Sequence, residues 1–203
     1  DAALADLERA LAKNPLGNGL HRMRGIVRME QGDLPAAIAD FTRAIELEPD
    51  DIVAWMRRGT ARRATDPEGA LADHLRATQI NPHAEIAWFQ LARDRARLGD
   101  YEAAIADATR AIEINPRLSV AWNVRGADRL ARGDVDGALA DFDRALELEP
   151  EFDRAAYNRG LVHELRGEIA PAIEDFQRCL EETRDSDLEA DARAKLAELR
   201  ARK

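Results

Sequence analysis

Small and large side chains recur along this chain in a fixed cadence. A small residue (Ala37, Ala70, Ala104, Ala138, Ala172) is followed seven positions later by another (Ala44, Ala77, Ala111, Ala145, Cys179). Between the two lies a slot filled by Phe41, His74, Ala108, Phe142 or Phe176. Positions at this spacing fall on one stripe of an α-helix, so each set predicts a helix with one packed face. A second stripe runs ahead of each set. Trp55, Trp88 and Trp122 share a slot with His21 and Ala156, and four residues later come Gly25, Gly59, Ala92, Gly126 and Gly160. A residue that small predicts a place where two helices approach closely. Between the two stripes stand Gly32-Asp33, Gly99-Asp100, Gly133-Asp134 and Gly167-Glu168, which read as turns.

Prolines 15, 49, 82, 116 and 150 close each unit, at intervals of 34, 33, 34 and 34 residues. A fixed period of this length marks a helical solenoid, in which a unit buries its apolar face only by stacking on its neighbours. The expected units are a half repeat at 1–17 and repeats at 18–51, 52–84, 85–118, 119–152 and 153–185, with a capping helix at 186–203, all within one domain, 1–203. The unit at 52–84 is irregular. It lacks the Gly-acid turn, is one residue short and carries His74 where the others favour Phe. Repeat drift and a local binding adaptation both fit that departure.

These slots resemble the tetratricopeptide repeat (TPR) family, whose pattern runs Trp, Leu-Gly, Tyr, then Ala, Phe, Ala and a terminal Pro. The resemblance spans about residues 1–184. It implies an all-α fold: an α-solenoid, a right-handed superhelix of about five helix-turn-helix repeats, with a leading half repeat and a C-terminal cap. It also implies that first helices line a concave groove and second helices form the convex back. Two departures stand out. Arg24, Arg58, Arg125 and Arg159 occupy the usual Leu slot, which only Leu91 keeps, and Arg28, Arg62, Arg95, Arg129 and His163 occupy the Tyr slot. Polar contacts are therefore expected where the family has apolar ones. The carboxylate clamp of chaperone-binding members needs Asn five residues after the Trp slot, where this chain has Ile26, Thr60, Arg93, Ala127 and Leu161. A chaperone-tail adaptor is not expected.

The chain starts in the middle of a unit, which reads as a fragment of a longer protein. At its other end Ser186-Asp187-Leu188-Glu189 has the form of a capping box. Leu188, Ala192, Leu196 and Leu199 then share one face of a helix that would seal the last repeat.

Composition narrows the functional classes. The net charge of −9 argues against nucleic acid as the main partner, because phosphate binding needs clustered basic surface. The average conceals a segregation. The first helices, taken as 18–31, 52–65, 85–98, 119–132 and 153–166, hold 16 arginines against six acids, a net +10 that leaves −19 for the rest. With the family's geometry this becomes a basic groove on an acidic shell. Asp40, Asp73, Asp107, Asp141 and Asp175 repeat at the same period in the second helices. They are expected to pair with Arg24, Arg58, Arg125 and Arg159 where repeats meet, leaving the other arginines freer. Heavy use of Arg and Ala, with only three lysines, points to a GC-rich bacterial genome. No apolar run approaches the roughly 18 residues that span a membrane. A cytoplasmic setting is expected, and a removed leader is compatible with the sequence.

Helical spacing selects the groove-facing residues of the first helices. The candidates are Arg22 on the first; Val53, Met56 and Arg57 on the second; and Ile86, Phe89, Gln90 and Arg93 on the third. Asn123 follows on the fourth, with Arg154, Tyr157 and Asn158 on the fifth. Apolar and aromatic side chains interleaved with arginines suit a peptide or partner helix with apolar and acidic residues. Part of that stripe would alternatively pack within the helix pairs. Nothing in the chain carries a phosphate loop, a nucleophile elbow or a metalloprotease motif. Cys179 stands alone in a packing slot, and His21, His74, His83 and His163 occupy unrelated slots, so no cofactor or metal is expected. The reading is a non-catalytic interaction scaffold with a protein or peptide ligand. A self-assembling scaffold and a recruiting arm of a larger enzyme are the alternatives.

Overall fold

The computed structural model describes residues 2–201, so Asp1, Arg202 and Lys203, the outermost residues of the expected half repeat and cap, lie outside the described residues. Among the described residues there are twelve α-helices and no strand. They form two compact units, Asp1–Gly99 and Asp100–Lys203. The first holds α1 (Ala2–Lys13), α2 (Asn18–Glu30), α3 (Leu34–Leu47), α4 (Ile52–Arg62), α5 (Pro67–Ile80) and α6 (Glu85–Arg97). The second holds α7 (Tyr101–Ile114), α8 (Ser119–Ala131), α9 (Val135–Leu148), α10 (Asp153–Leu165), α11 (Ile169–Glu182) and α12 (Ser186–Ala201). Within each unit every helix packs on the next one in the chain.

The turns follow from their residues. Gly32 and Gly133 take φ of 81° and 83°, a left-handed conformation that side chains with a Cβ disfavour. The acid after the glycine then caps the second helix. Asp33 accepts from the Ala36 amide and Asp134 from the Gly137 amide, each satisfying a donor that the first turn leaves open. In the short repeat Asp66 does the same for Gly69, with Pro67 in the first helical turn, so the cap survives without the glycine.

The close approaches fall at the small residues. A Cβ on Gly25 would meet Phe41 at 2.7 Å, and one on Gly126 would meet Phe142 at 2.7 Å. Phe41, Phe142 and Phe176 are fully buried between helices, together with the small residues on either side of them. The Trp slot has a second role that spacing alone does not show. The Trp55, Trp88 and Trp122 indole N–H groups donate to the carbonyls of Pro49, Pro82 and Pro116 at 2.8–3.0 Å. His21 Nε2 makes the same contact with the Pro15 carbonyl at 3.0 Å. The turn proline and the aromatic slot are thus one device that fixes how a repeat enters its first helix.

In the four repeats that carry both, the arginine and aspartate ladders pair inside the repeat and not at the junction between repeats. Arg58 places Nε and Nη2 on the two oxygens of Asp73 at 2.9 and 2.7 Å, and Arg125 grips Asp141 in the same way. The third nitrogen reaches back to the preceding repeat: Arg58 Nη1 to Thr42, Arg125 Nη1 to Thr109 and Arg159 Nη1 to Asp143. Arg24 follows on Asp40 and Arg159 on Asp175, and these hydrogen bonds raise the pKa of both guanidinium groups. Three of these carboxylates also take a second cation from the Tyr slot, Arg28 on Asp40, Arg62 on Asp73 and Arg129 on Asp141. The expectation that these arginines stay freer is therefore corrected. One buried carboxylate needs several donors to satisfy its lone pairs, and the next turn of the same helix supplies them.

At the C-terminal end Leu188, Ala192, Leu196 and Leu199 are buried, and Leu196 and Leu199 cover Phe176. The start of α12 differs from the expected box. The Asp185 side chain accepts from the amides of Asp187 and Leu188, so the cap lies one residue before Ser186. A carboxylate there also favours the positive end of the helix dipole.

Candidate functional site

In the first unit, α4 and α6 lie side by side and bring five of the sequence candidates into one open cavity of ≈ 290 Å³. Val53, Met56 and Arg57 with Thr60 form one wall, and Ile86 and Gln90 form the other. Val53 and Ile86 are exposed apolar side chains, so part of the wall is uncovered hydrocarbon. Arg57 is exposed, and among the described residues it makes no hydrogen bond or ion pair, unlike its neighbour Arg58. The cavity is a short trough with an apolar floor and one unspent cation at its edge.

The floor is fixed from below by the irregular repeat. His74 is fully buried where three other repeats carry Phe. Its Nε2 contacts the Met56 carbonyl at 3.1 Å, and its Nδ1 contacts the Asp94 carboxylate. The ring thereby bridges the α4 backbone and an α6 carboxylate. Arg63 donates Nε to the other Asp94 oxygen at 2.7 Å and Nη2 to the Gln90 side-chain oxygen at 2.8 Å. One buried network therefore ties the backbone of α4 at Met56 to the α6 residue that faces it across the trough. The sequence marked His74 as an outlier, but it carries no sign of the Asp94 and Arg63 partners, which lie in other elements.

The remaining candidates are placed differently. Arg22 pairs with buried Asp51, the N-cap of α4, at 2.7 Å. Arg93 lies over the Phe89 ring at 5.6 Å, a cation–π contact on the exposed side of α6. In the second unit Asn123 is buried and accepts from Asn158 at 2.9 Å. Arg154, Tyr157 and Asn158 line a separate cavity of ≈ 370 Å³ whose opposite wall is Asp185 with Asp187, Leu188 and Asp191 at the start of α12. Arg154 is paired with Asp185 at 2.9 Å. Burial raises the Tyr157 hydroxyl pKa above its ordinary value, and nearby Asp191 adds to the effect. This cavity is acidic on one side. Asp187, Leu188 and Asp191 were missed because α12 was assigned to sealing the last repeat, and Asp185 because it precedes that helix.

Other reactive groups have structural settings. Cys179 is buried in the core of the second unit, and desolvation pushes its thiol up to about 11. Asp128 is buried with Oδ2 lacking a hydrogen-bond partner among the described residues, and desolvation raises its pKa to about 7. Among the described residues no three His, Cys, Asp or Glu come together as a metal site, and no helix is long and apolar enough to cross a membrane.

Comparison with known proteins agrees with the repeat fold. A family model described as tetratricopeptide repeat matches residues 1–52 and 123–187, and a second with the same description matches 86–118. No curated protein sequence matches the chain. Among solved structures, a tetratricopeptide repeat protein from Parabacteroides merdae is similar at a TM-score of 0.82 and 21% identity, covering 98% of this chain and 79% of that one. A thermophilic TPR protein of Thermus thermophilus gives 0.75 and 21%, covering 89% and 100%. YrrB, a TPR protein with an unusual peptide-binding site, gives 0.69 and 20%, covering 93% and 97%. At these identities the likeness concerns the fold. With the repeated slots, the paired helices and matches over more than half of its length, this chain belongs to the tetratricopeptide repeat family.

Proposed function

We propose that the chain is a non-catalytic protein-interaction scaffold whose trough between α4 and α6 takes a peptide or partner helix with apolar and acidic residues. One observation carries the reading: an uncovered apolar floor at Val53, Met56 and Ile86 beside Arg57, a guanidinium with no partner among the described residues. Apolar anchors in such a trough supply affinity, and the cation selects acidic ligands and speeds encounter. The buried network beneath Met56 and Gln90 supports it, because a floor held in place loses less entropy on binding. A peptide-binding site occurs on the same fold in YrrB. The net charge of −9 disfavours nucleic acid as the partner.

The test is a phage-displayed peptide selection on the chain, followed by affinity measurement on Arg57→Glu and Met56→Glu. Selected peptides should combine acidic with apolar residues, and each variant should weaken binding about tenfold or more at unchanged helicity. Enrichment of basic peptides, or affinities that neither variant alters, would sink the proposal.

A further inference from the structure

The polar side chains that line the α4–α6 trough are Arg57, Thr60 and Gln90, and their unspent hydrogens decide what it can hold. Thr60 gives its hydroxyl proton to the Met56 carbonyl at 3.0 Å, within its own helix. Gln90 is held from behind. Arg63 Nη2 reaches its side chain at 2.8 Å and Arg93 Nη1 at 3.5 Å. A guanidinium can only donate, so the amide atom facing both arginines is the oxygen, Oε1. Arg63 is itself anchored, with Nε on the buried Asp94 carboxylate at 2.7 Å. Arg63 and Arg93 both lie outside the lining of the trough.

The amide nitrogen is therefore the edge of Gln90 left for the trough, and among the described residues it makes no hydrogen bond. Arg57 on the α4 wall is likewise without a partner among the described residues. The two side chains thus face the trough as donors only, beside the hydrocarbon of Val53, Met56 and Ile86. We propose that Gln90 is a specificity-determining residue of this trough: its Nε2 and the Arg57 guanidinium together take a side-chain carboxylate of the bound peptide, whose apolar neighbour lies on the floor. The inference rests on the trough being the peptide site. A carboxylate offers acceptors alone, and its single negative charge is balanced by one guanidinium. The corresponding ligand amide would set N–H groups against these donors. An untethered Gln90 could turn over to accept from such an amide, but here turning over breaks the bond from Arg63.

The probes are two blocked dipeptides, N-acetyl-leucyl-glutamate amide and its glutamine counterpart, titrated into the whole chain and followed by NMR on the Gln90 side-chain N–H2 signals. Wild type should prefer the glutamate compound about tenfold or more, with those signals shifting on binding. Gln90→Met should cut the preference about fivefold and leave affinity for the glutamine compound within about twofold. Gln90→Glu still accepts from Arg63 but offers no donor, so it should reverse the preference. Arg63 keeps Asp94 in both variants, so far-UV circular dichroism should be unchanged. Met56→Ala should weaken both compounds alike, because the leucine side chain is common to them. The inference is overturned if wild type binds both compounds equally, if it binds neither, or if both Gln90 variants keep the wild-type preference, which would assign the reading to Arg57 alone. Equal binding that Met56→Ala weakens would overturn the carboxylate contact and leave the peptide trough standing. Binding of neither compound also overturns this inference, while the peptide selection judges the trough separately.

Discussion

Asp141→Ala should be among the most damaging single substitutions in the second unit. The Asp141 side chain is 2% exposed and accepts from Arg125 Nε and Nη2 at 2.9 and 2.7 Å and from Arg129 Nη1 at 2.8 Å. Removing it strands two cations. Arg129 has substitutes in the Gly137 carbonyl at 3.3 Å and Asp134 at 3.7 Å, so most of the penalty falls on Arg125, whose side chain is 10% exposed. Breaking one partner of a buried pair costs about 3–5 kcal/mol, and the relief open to Arg129 places this case near 3. Adding Arg125→Leu removes the stranded charge and should return stability to within about 1 kcal/mol of wild type. The chain itself carries Leu91 in that slot, and Thr109, which would lose Arg125, keeps its own bond to the Ile105 carbonyl. Glu147→Ala, which breaks the exposed Arg144–Glu147 pair, is the control and should cost below about 0.5 kcal/mol. Urea denaturation by circular dichroism reads the totals. Amide exchange in α8 and α9 localises the loss, because repeat arrays need not unfold in one step. A cost below about 1 kcal/mol for Asp141→Ala, or a double variant as unstable as the single, would refute the claim that the ladder is a structural pairing.

Two further outcomes follow from the packing. Gly126→Ala gains about 1 kcal/mol in helix propensity but sets a Cβ 2.7 Å from the buried Phe142 ring, where overpacking costs about 1–3; thermal melts should show a net loss that Phe142→Leu in the same chain partly reverses. The raised Asp128 pKa of about 7 means that the native state holds this proton more tightly than the unfolded chain. Its contribution is full below the ordinary carboxylate range and is lost as pH rises to about 7, so Asp128→Asn should gain Tm over wild type between pH 4 and 7, with a constant gap above. A gap independent of pH would contradict that assignment.

Much of the fold was legible because one unit is written several times. The Gly25 and Gly126 slots predicted close helix approach, and rings pack against both. The Arg and Asp ladders predicted pairing, but equal periods along a chain do not say which of two neighbouring aspartates an arginine faces. That register is set by the turn between helices, and it placed Arg58 on Asp73 of its own repeat. The indole-to-proline bonds stayed hidden because Trp reads first as hydrocarbon. The site was less legible than the fold. Helical spacing put Val53, Met56, Arg57, Ile86 and Gln90 on faces that meet, yet the His74–Asp94–Arg63 network beneath them joins three helices and leaves no periodic trace. Arg22 and Arg57 look alike in sequence, and only the position of Asp51 separates the paired one from the other.

The most direct test of the central claim is a two-dimensional NMR titration with a selected acidic, apolar peptide, recorded on backbone amides and on the Met56 methyl. The account predicts shifts concentrated at Val53, Met56, Arg57 and Thr60 on α4 and at Ile86 and Gln90 on α6, abolished in Arg57→Glu. Shifts confined to the second helices α3 and α5, or a pattern that Arg57→Glu leaves intact, would contradict it.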